Sequence, residues 1–237
     1  MDAPLRILIH GSTGRMGQAL LRLCAAQPER FVVAGAVSQQ ASQRVIDGVP
    51  QFAARELSGV PAFDAVIDFS RPEAFDRVLA LAVARNAAFV SGTTGLSDAQ
   101  REALGLAAER VPACWASNFS LGVAVLAQLV GRAARALEGW DCDIVETHHA
   151  GKVDAPSGTA LALGAAAGEG GAEPRYASLR AGDIVGEHVV QFTDAGERIE
   201  LVHRATNRDI FARGALHVAS RLARREPGLY RVDALLE

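Results

Sequence analysis

LRILIHGSTGRMG, residues 5–17, joins a short apolar run to three glycines spaced three residues apart. The apolar run predicts a buried strand, and the helical spacing of apolar side chains after it predicts a helix over residues 14–27. A glycine turn between a strand and a helix lets the backbone approach a pyrophosphate, whose charge then faces the free N–H groups of the helix start. The spacing GxxGxxG is less specific than GxGxxG, so a plain glycine-rich turn without a nucleotide remains an alternative.

The remainder of the first half alternates short apolar runs with stretches of helical spacing. Strands are predicted near residues 31–37, 64–69, 87–90 and 112–116, and helices over residues 72–85 and 97–110. Strands that alternate with helices in this way predict a parallel sheet covered on both faces. Such a doubly wound domain binds its ligands at the carboxyl ends of the strands.

After Asn118 the pattern changes to a long apolar helix, predicted over residues 120–137, and a strand over residues 142–147. Three further strands are predicted near residues 175–180, 187–192 and 198–203, with a tight turn at residues 193–196 between the last two. We expect the small residues of GAAAGEGGAE, 164–173, to form a loop, and residues 210–224 to form a closing helix.

Consecutive strands joined by a tight turn predict a partly antiparallel sheet and therefore a second domain. The predicted fold class is α/β: a Rossmann-like doubly wound parallel sheet domain plus an α+β domain with a mixed, partly antiparallel sheet.

The composition is that of an ordinary globular protein and argues against several classes of function. The 237 residues are 49% hydrophobic and 22% charged, with a formal net charge of -3, so we expect neither nucleic acid nor a membrane as a partner. No apolar run approaches the roughly 18 residues of a membrane span, and the first residues lack the pattern of a signal peptide. Cys24, Cys114 and Cys142 have no CxxC spacing and fit reduced thiols, which predicts a cytoplasmic protein.

The choice of cofactor depends on the end of the second predicted strand, Val37-Ser38-Gln39-Gln40. An acidic residue there would bind the adenine ribose hydroxyls and favour NAD, and none is present. Arg15 and Arg44 are nearby candidates to bind a 2′-phosphate, so NADPH is favoured slightly over NADH. Two further loops, residues 68–73 and 91–95, leave the third and fourth strands, and we expect them to meet the glycine turn at one edge of the sheet.

ETHHAGKVDAPSGTAL, residues 146–161, gathers titratable side chains of the second half. His148 and His149 end a strand, where successive side chains point to opposite sides, and an accessible histidine is a natural proton donor near neutral pH. Lys152, with the N–H groups and hydroxyls of the helix start at residues 156–159, predicts a site for a small carboxylate.

Each of these features has a simpler interpretation. Ser157 or Thr159 could serve only as a helix cap, Lys152 could be a solvated surface charge, and a single histidine is often structural. No third ligand accompanies the histidine pair at a suitable spacing, so no metal site is predicted. The concentration of all these groups within one short segment favours a functional site.

Six blocks of the sequence carry a resemblance to a known family. They are residues 11–17 (GSTGRMG), 68–73 (DFSRPE), 92–95 (GTTG), 117–123 (SNFSLGV), 146–160 (ETHHAGKVDAPSGTA) and 181–188 (AGDIVGEH). In content and order they resemble the 4-hydroxy-tetrahydrodipicolinate reductase family, also called dihydrodipicolinate reductase. The block with the histidine pair, the lysine and DAPSGTA is specific to that family, whereas the glycine turn is not.

The resemblance implies an oxidoreductase of lysine and diaminopimelate biosynthesis. Its reaction would transfer a hydride from NADPH or NADH to C4 of a heterocyclic dicarboxylate, with loss of water, giving tetrahydrodipicolinate. The resemblance also implies a dinucleotide-binding domain at residues 1–119 and 209–237, a substrate-binding and oligomerisation domain at residues 120–208, and a homotetramer.

Matching positions imply roles for single residues. His148 and Lys152 would be catalytic proton donors, and the substrate would be bound by His149, Ser157, Gly158, Thr159 and Arg208. With the strand-end loops described above, the predicted cofactor-binding residues are Gly11, Ser12, Thr13, Gly14, Arg15, Met16, Gly17, Ser38, Gln39, Phe69, Ser70, Arg71, Gly92, Thr93, Thr94, Ala116, Ser117, Asn118 and Phe119. The family often has an acidic and then a basic residue after the second strand, so Ser38 and Gln39 are a departure that leaves the cofactor preference open.

Two alternatives remain at this point, one of them from a different class of protein. One is a different two-domain nicotinamide oxidoreductase of a small carboxylate, such as a semialdehyde or amino-acid dehydrogenase. The other is a non-catalytic protein that senses dinucleotides. A sensor needs neither His148 nor Lys152, so the presence of both favours an enzyme.

Overall fold

The computed structural model describes residues 3–40 and 44–237 of the chain. The chain divides into two compact units, Met1–Phe119 with Phe211–Glu237, and Ser120–Ile210. The second boundary therefore follows Ile210, whereas the resemblance places it after Arg208.

The first unit contains an eight-stranded sheet in the order β12-β7-β6-β5-β1-β2-β4-β3. Its strands are β1 (Leu5–His10), β2 (Phe31–Ser38), β3 (Val45–Ile46), β4 (Val49–Ala53), β5 (Ala65–Asp68), β6 (Ala88–Ser91), β7 (Pro112–Trp115) and β12 (Gly228–Tyr230). All neighbours pair in parallel except β3 and β4. The chain continues from β1 to β2 on one side and later adds β5 on the other side of β1, which creates the switch point where doubly wound sheets bind ligands.

Helices α1 (Arg15–Ala25), α2 (Pro72–Ala84), α3 (Asp98–Ala108) and α6 (Asp209–Leu222) accompany this sheet. Leu8 and Val66 belong to a core cluster with residues of α2 and α3, among them Phe75, which packs edge-on against Phe89 of β6. Ile7 and Ile67, whose side chains alternate with those of Leu8 and Val66, are also fully buried. A sheet that is buried on both faces confirms the predicted doubly wound class.

The second unit contains a four-stranded sheet in the order β11-β10-β8-β9. Its strands are β8 (Asp141–His148), β9 (Pro174–Arg180), β10 (Gly186–Asp194) and β11 (Glu197–Ala205), and its helices are α4 (Leu121–Ala136) and α5 (Gly158–Glu169). Strand β10 is antiparallel to β8 and β11, whereas β8 and β9 are parallel, so the predicted mixed sheet is confirmed.

Both helices of the second unit pack on one face of its sheet. Leu126 of α4 and Leu163 of α5 share a core cluster with Ile144, Val190 and Phe192 from β8 and β10. The alternate side chains point to the other face, where Val145 and Val189 are only half-buried and Leu179 and Val202 are exposed. The second unit therefore has one covered and one uncovered sheet face.

The prediction of a loop over residues 164–173 is wrong for its first part, since α5 continues to Glu169. The small residues permit close packing rather than ending the helix: a side chain at Gly164 would collide with the hydroxyl of Tyr176, and one at Gly170 would collide with Ala134 of α4. Tertiary contact thus outweighs the low helix propensity of glycine. The short strands β3, β4 and β12 were not predicted.

Candidate active site

The glycine turn between β1 and α1 is shaped to approach an anion. Gly11 has a φ of 82°, and a side chain there would collide with the Phe69 carbonyl, just as a side chain at Gly17 would collide with the carbonyl of Gly11. Helix α1 has no side-chain cap at Gly14 and no acidic residue in its first turn, which suits its first N–H groups to an anionic ligand. The buried Ser12 hydroxyl also has no hydrogen-bond partner among the described residues. These features fit the pyrophosphate of a dinucleotide.

Asp68, at the end of β5, is the fully buried centre of a hydrogen-bond network at the same edge of the sheet. Its carboxylate lies 2.7 Å from Nδ1 of His10 and accepts from the hydroxyls of Ser91 and Thr93, both at 2.8 Å. The Ser70 N–H donates to it at 3.2 Å. Burial raises the pKa of Asp68, but the hydrogen bonds and His10 outweigh burial, so its pKa is lowered. The carboxylate thus ties together the ends of β1, β5 and β6.

The remaining predicted cofactor residues also lie at this edge. Phe69 packs edge-on against Phe119 with a centroid distance of 5.7 Å, and a side chain at Gly92 would collide with the Phe69 ring. Trp115 Nε1 donates to the Thr93 carbonyl at 2.8 Å. Residues 11–17 follow β1, 69–71 follow β5, 92–94 follow β6 and 116–119 follow β7, four strands that are neighbours in the sheet.

Ser38 and Gln39 lie at the end of β2. The Ser38 hydroxyl donates to the Gln40 carbonyl at 2.9 Å, and Gln39 is exposed. Arg15 is exposed at the start of α1, whereas Arg44 pairs with Glu56 at 3.4 Å. The sequence from Ser38 to Arg44 contains no acidic residue, so no carboxylate there would repel a 2′-phosphate.

Glu146, on β8, is the fully buried centre of a second network. Arg180 binds its two carboxylate oxygens at 2.9 Å and 2.8 Å, and the Ser157 N–H donates at 3.2 Å. Nδ1 of His148 lies 2.5 Å from the carboxylate. Burial raises the pKa of Glu146, but hydrogen bonds from Arg180, Ser178 and His148 outweigh it and lower the pKa to about 2.

His148 shares its surroundings with a second buried histidine, His188, whose ring packs edge-on against it at a centroid distance of 5.2 Å. Burial lowers the pKa of His148, against the opposing effect of Glu146, and Lys152 and Arg180 lower it further. Burial and the neighbouring His148 and His203 lower the pKa of His188 to about 4. His188 is therefore neutral at pH 7.

Lys152 donates to both carboxylate oxygens of Asp154 at 2.8 Å, so its charge already has a counterion. Its backbone N–H donates to the carbonyl of His149, a residue whose side chain is half-buried. The segment thus forms a compact turn between β8 and α5 that presents His149 and Lys152 beside the buried His148.

The start of α5 has the cap that was one of the two alternatives for it, and its role in binding a carboxylate stays a prediction. Ser157 is the N-cap, since its hydroxyl accepts from the Ala160 N–H at 3.1 Å, and the same hydroxyl lies 3.1 Å from Nε2 of His188. Gly158 is exposed and Thr159 is half-buried. Arg208 is exposed and directly precedes α6.

Sequence reasoning missed the network partners of the predicted residues: Asp68, Glu146, Arg180 and His188 were given no role. Glu146 could have been found, because residues i and i+2 of a strand share a face and Glu146 therefore accompanies His148. Arg180 belongs to another strand, and its partnership with Glu146 has no local signal in the sequence.

Within the described ranges, no helix is both long and apolar enough to cross a membrane. The same ranges hold no group of three or more His, Cys, Asp or Glu side chains placed to bind a metal ion.

Comparison with known proteins covers both halves of the chain. The family model described as "Dihydrodipicolinate reductase, N-terminus" matches residues 5–119, and "Dihydrodipicolinate reductase, C-terminus" matches residues 122–236. The chain is 71% identical to 4-hydroxy-tetrahydrodipicolinate reductase of Stenotrophomonas maltophilia (strain K279a) over 237 residues, which are 100% of this chain and 99% of that protein. It is 64% identical to the protein of the same name from Xanthomonas campestris pv. campestris (strain B100), over 99% of this chain and 98% of the relative.

Solved structures agree on the fold. A dipicolinate-bound dihydrodipicolinate reductase from Paenisporosarcina sp. TG-14 superposes with a TM-score of 0.81 at 21% identity, over 96% of this chain and 97% of that one. A diaminopimelate dehydrogenase from C. glutamicum superposes with a TM-score of 0.63 at 14% identity, over 100% of this chain and 96% of that one.

Proposed function

The chain belongs to the dihydrodipicolinate reductase family, and we propose which of its residues perform this family's reaction. The enzyme is a nicotinamide-dependent oxidoreductase of lysine and diaminopimelate biosynthesis. It reduces 4-hydroxy-tetrahydrodipicolinate, a small heterocyclic dicarboxylate, at C4 with loss of water, and the product is tetrahydrodipicolinate.

We assign cofactor binding to the first unit. When bound, the nicotinamide supplies the hydride. The N–H groups at the start of α1 and the Ser12 hydroxyl would face the pyrophosphate, and the loops after β5, β6 and β7 would line the remainder of the cofactor. The close approach of backbone at Gly11 and Gly17 supports this assignment.

We expect both NADPH and NADH to serve, with NADPH favoured. No carboxylate stands at Ser38 or Gln39 to select the adenine ribose hydroxyls of NADH, and Arg15 is exposed in the first turn of α1. Arg44 contributes less, because it already pairs with Glu56.

We assign substrate binding and proton transfer to the second unit. Hydride addition to a conjugated imine builds electron density on the ring, which a nearby proton donor discharges. His148 is this donor, and Lys152 is a second donor that also attracts a carboxylate of the substrate. The N–H groups of Gly158 and Thr159 at the start of α5, with His149, hold a carboxylate, and Arg208 contacts the substrate from the end of the unit.

One structural observation supports these assignments. A single turn between β8 and α5 holds a buried histidine, a lysine and a helix start, which are the groups that a proton donor and an anion site require. The Ser157 N–H is engaged by Glu146 and its hydroxyl by the cap, so Ser157 supports this turn more than it contacts the substrate directly.

We propose that the enzyme is a homotetramer formed through the second unit. The uncovered sheet face, with Val145, Val189, Leu179 and Val202, is an apolar surface that sheets of other copies would bury at one of the interfaces of this tetramer. Sedimentation should give a mass four times the 24.9 kDa of one chain. The cytoplasmic location stays a prediction.

The decisive experiment supplies the purified enzyme with the product of dihydrodipicolinate synthase and follows oxidation of NADPH and NADH separately. We expect turnover with both cofactors, and Lys152→Ala should lower kcat by about a hundredfold, the effect of losing an acid–base group. Turnover only with a semialdehyde or an amino acid would favour another dehydrogenase, and cofactor binding without turnover of any of these would favour a sensor.

A further inference from the structure

Glu146 is ionised and completely buried, so it can only accept hydrogen bonds. Nδ1 of His148, 2.5 Å from its Oε2, must therefore carry the proton of that hydrogen bond. This fixes the neutral ring as the Nδ1–H tautomer and leaves Nε2 as the nitrogen that can gain and lose a proton.

Glu146 is itself held from two directions. Arg180 of β9 binds both of its oxygens, and the Ser157 N–H at the start of α5 binds Oε1. Arg180 also donates to the Asp154 carbonyl at 2.6 Å, which connects the same network to the turn that carries Lys152. The orientation of the His148 ring is thus fixed by groups from two strands and a helix start.

The opposite side of the ring faces Gly186, the first residue of β10. A side chain at this glycine would come within 2.9 Å of Nε2 of His148. No hydrogen bond to Nε2 is found among residues 3–40 and 44–237, and the side chain of His148 keeps 11% of its surface exposed. Gly186 therefore leaves space in front of the nitrogen that Glu146 does not hold.

We propose that Glu146 is a positioning residue that acts through His148: it holds Nδ1, stabilises the imidazolium and presents Nε2 to the substrate across the space that Gly186 leaves. This role rests on the proposed assignment of His148 as the proton donor. It resembles the general arrangement in which a buried carboxylate orients a catalytic imidazole.

Four charged or titratable groups face His148 and set its proton affinity: Glu146 on its own strand, Arg180 on β9, His188 on β10 and Lys152 on the following turn. Only Glu146 favours the imidazolium. Replacing its carboxylate by an amide leaves Arg180 and Lys152 unopposed, so the pKa of His148 should fall further. A proton donor with a lower pKa loses its proton at a lower pH, so the decline of kcat/KM toward alkaline pH should move to lower pH in the variant.

The test is Glu146→Gln, studied by two independent measurements. Steady-state kinetics across pH should show the alkaline decline moved to lower pH, kcat reduced about tenfold or more, and an unchanged KM for the cofactor. NMR of isotope-labelled histidine in the full-length enzyme should show the Nδ1–H tautomer of His148 in the unmodified protein and a mixture of tautomers in the variant.

Three further variants keep the test decisive. The double variant Glu146→Gln with Arg180→Gln removes both charges, so no unpaired arginine is left that could cause misfolding. In this variant the alkaline decline of kcat/KM should move part of the way back toward its position in the unmodified enzyme. Gly186→Ala should lower kcat while the Nδ1–H tautomer persists, because it obstructs Nε2 and leaves Glu146 in place. Asp64→Asn is the matched control: Asp64 also pairs with an arginine through both oxygens, in the first unit, and its loss should leave the pH profile as it is.

An unchanged tautomer and pH profile in Glu146→Gln would overturn the proposal. A changed tautomer with an unchanged rate profile would overturn it as well. If His148→Gln were also fully active, the failure would lie in the assignment of the proton donor, whereas an inactive His148→Gln would place it in the role of Glu146.

Discussion

Two buried carboxylate–histidine pairs lie in the described part of the chain, one in each unit, and their surroundings differ. Asp68 lies 2.7 Å from Nδ1 of His10, and Glu146 lies 2.5 Å from Nδ1 of His148. Both carboxylates are fully buried, Asp68 at the end of β5 and Glu146 two residues before the end of β8. The other donors to Asp68 are two hydroxyls and one N–H, all neutral, whereas the other donors to Glu146 include the guanidinium of Arg180.

The difference teaches that a pair of residue types does not by itself define a role. The Asp68 network joins the ends of β1, β5 and β6 at the edge of the first unit where we propose that the cofactor binds, so it organises backbone. The Glu146 network carries a full positive charge on one side and a histidine with an available Nε2 on the other, beside Lys152. The first pair suits a structural support for a binding surface, and the second suits proton transfer.

The largest expected difference between the two networks is in stability. Glu146→Gln leaves Arg180 without its counterion, and we expect a loss of about 3 kcal/mol in the free energy of unfolding, near the lower limit for a broken buried ion pair because Arg180 keeps some exposure. Asp68→Asn leaves only neutral donors and the histidine, so about 2 kcal/mol is expected. Urea unfolding at pH 7 measures both losses of unfolding free energy. An equal or larger loss in Asp68→Asn would contradict the expected difference between the two networks.

The next difference is in catalysis. His148→Gln should lower kcat by about a hundredfold because it removes an acid–base group. His10→Gln should act mainly by raising the KM for the cofactor, since His10 supports the loops after β5 and β6 through Asp68. Steady-state kinetics with cofactor and substrate varied separately distinguishes these effects. A drop in kcat for His10→Gln as large as that for His148→Gln would contradict the proposal that the first histidine supports cofactor binding and the second transfers a proton.

Sequence patterns predicted the two networks to different extents. The strand ends that gather the proposed cofactor residues followed from the alternation of apolar runs and helices, because parallel strands align their carboxyl ends. The prediction that His148 and Lys152 are catalytic followed from the concentration of titratable groups in one segment, and it stays a prediction. Arg180 could not be predicted, since it is 34 residues from Glu146 and the two meet only through the pairing of β8 with β9.

The errors in the predicted secondary structure have the same origin, namely tertiary contacts that local sequence does not show. The glycines of residues 164–173 favour a loop locally, but Gly164 lies in α5 against Tyr176, and Gly170, directly after the helix, packs against α4. Strand β12 has three residues and β3 has two, too few to show any periodicity, and both exist because a neighbouring strand offers an edge.

A third difference between the two networks concerns stability at acid pH. The folded-state pKa of His188 is about 4, below the ordinary value of 6.5, so the unfolded chain binds a proton first and stability falls as pH drops below 6.5. By pH 5 the loss should be about 2 kcal/mol, whereas the lowered pKa values of Asp68 and Glu146 cost stability only below about pH 4.5.

His188→Gln should therefore flatten the unfolding free energy between pH 7 and pH 5, measured by urea titration at each pH. His217→Gln is the control: His217 bonds the Leu235 carbonyl in the first unit, outside both networks. An unaltered slope in His188→Gln would mean that other groups cause the acid sensitivity.

The smallest expected effects come from the hydroxyls of the two networks. Ser91→Ala removes a donor to the Asp68 carboxylate and should cost about 1.5 kcal/mol, the usual value for a hydrogen bond to a charged group. Ser157→Ala removes the cap of α5 and the partner of His188 and should cost about 1 kcal/mol. Their kinetic effects should differ in kind, because Ser91 supports the loops that we propose bind the cofactor and Ser157 supports the turn that we propose binds the substrate. Ser91→Ala should raise the KM for NADPH, and Ser157→Ala the KM for the dicarboxylate, each by a few-fold. If both variants raised the same KM, the two networks would serve one ligand, and the contrast between a structural and a catalytic carboxylate–histidine pair would fail.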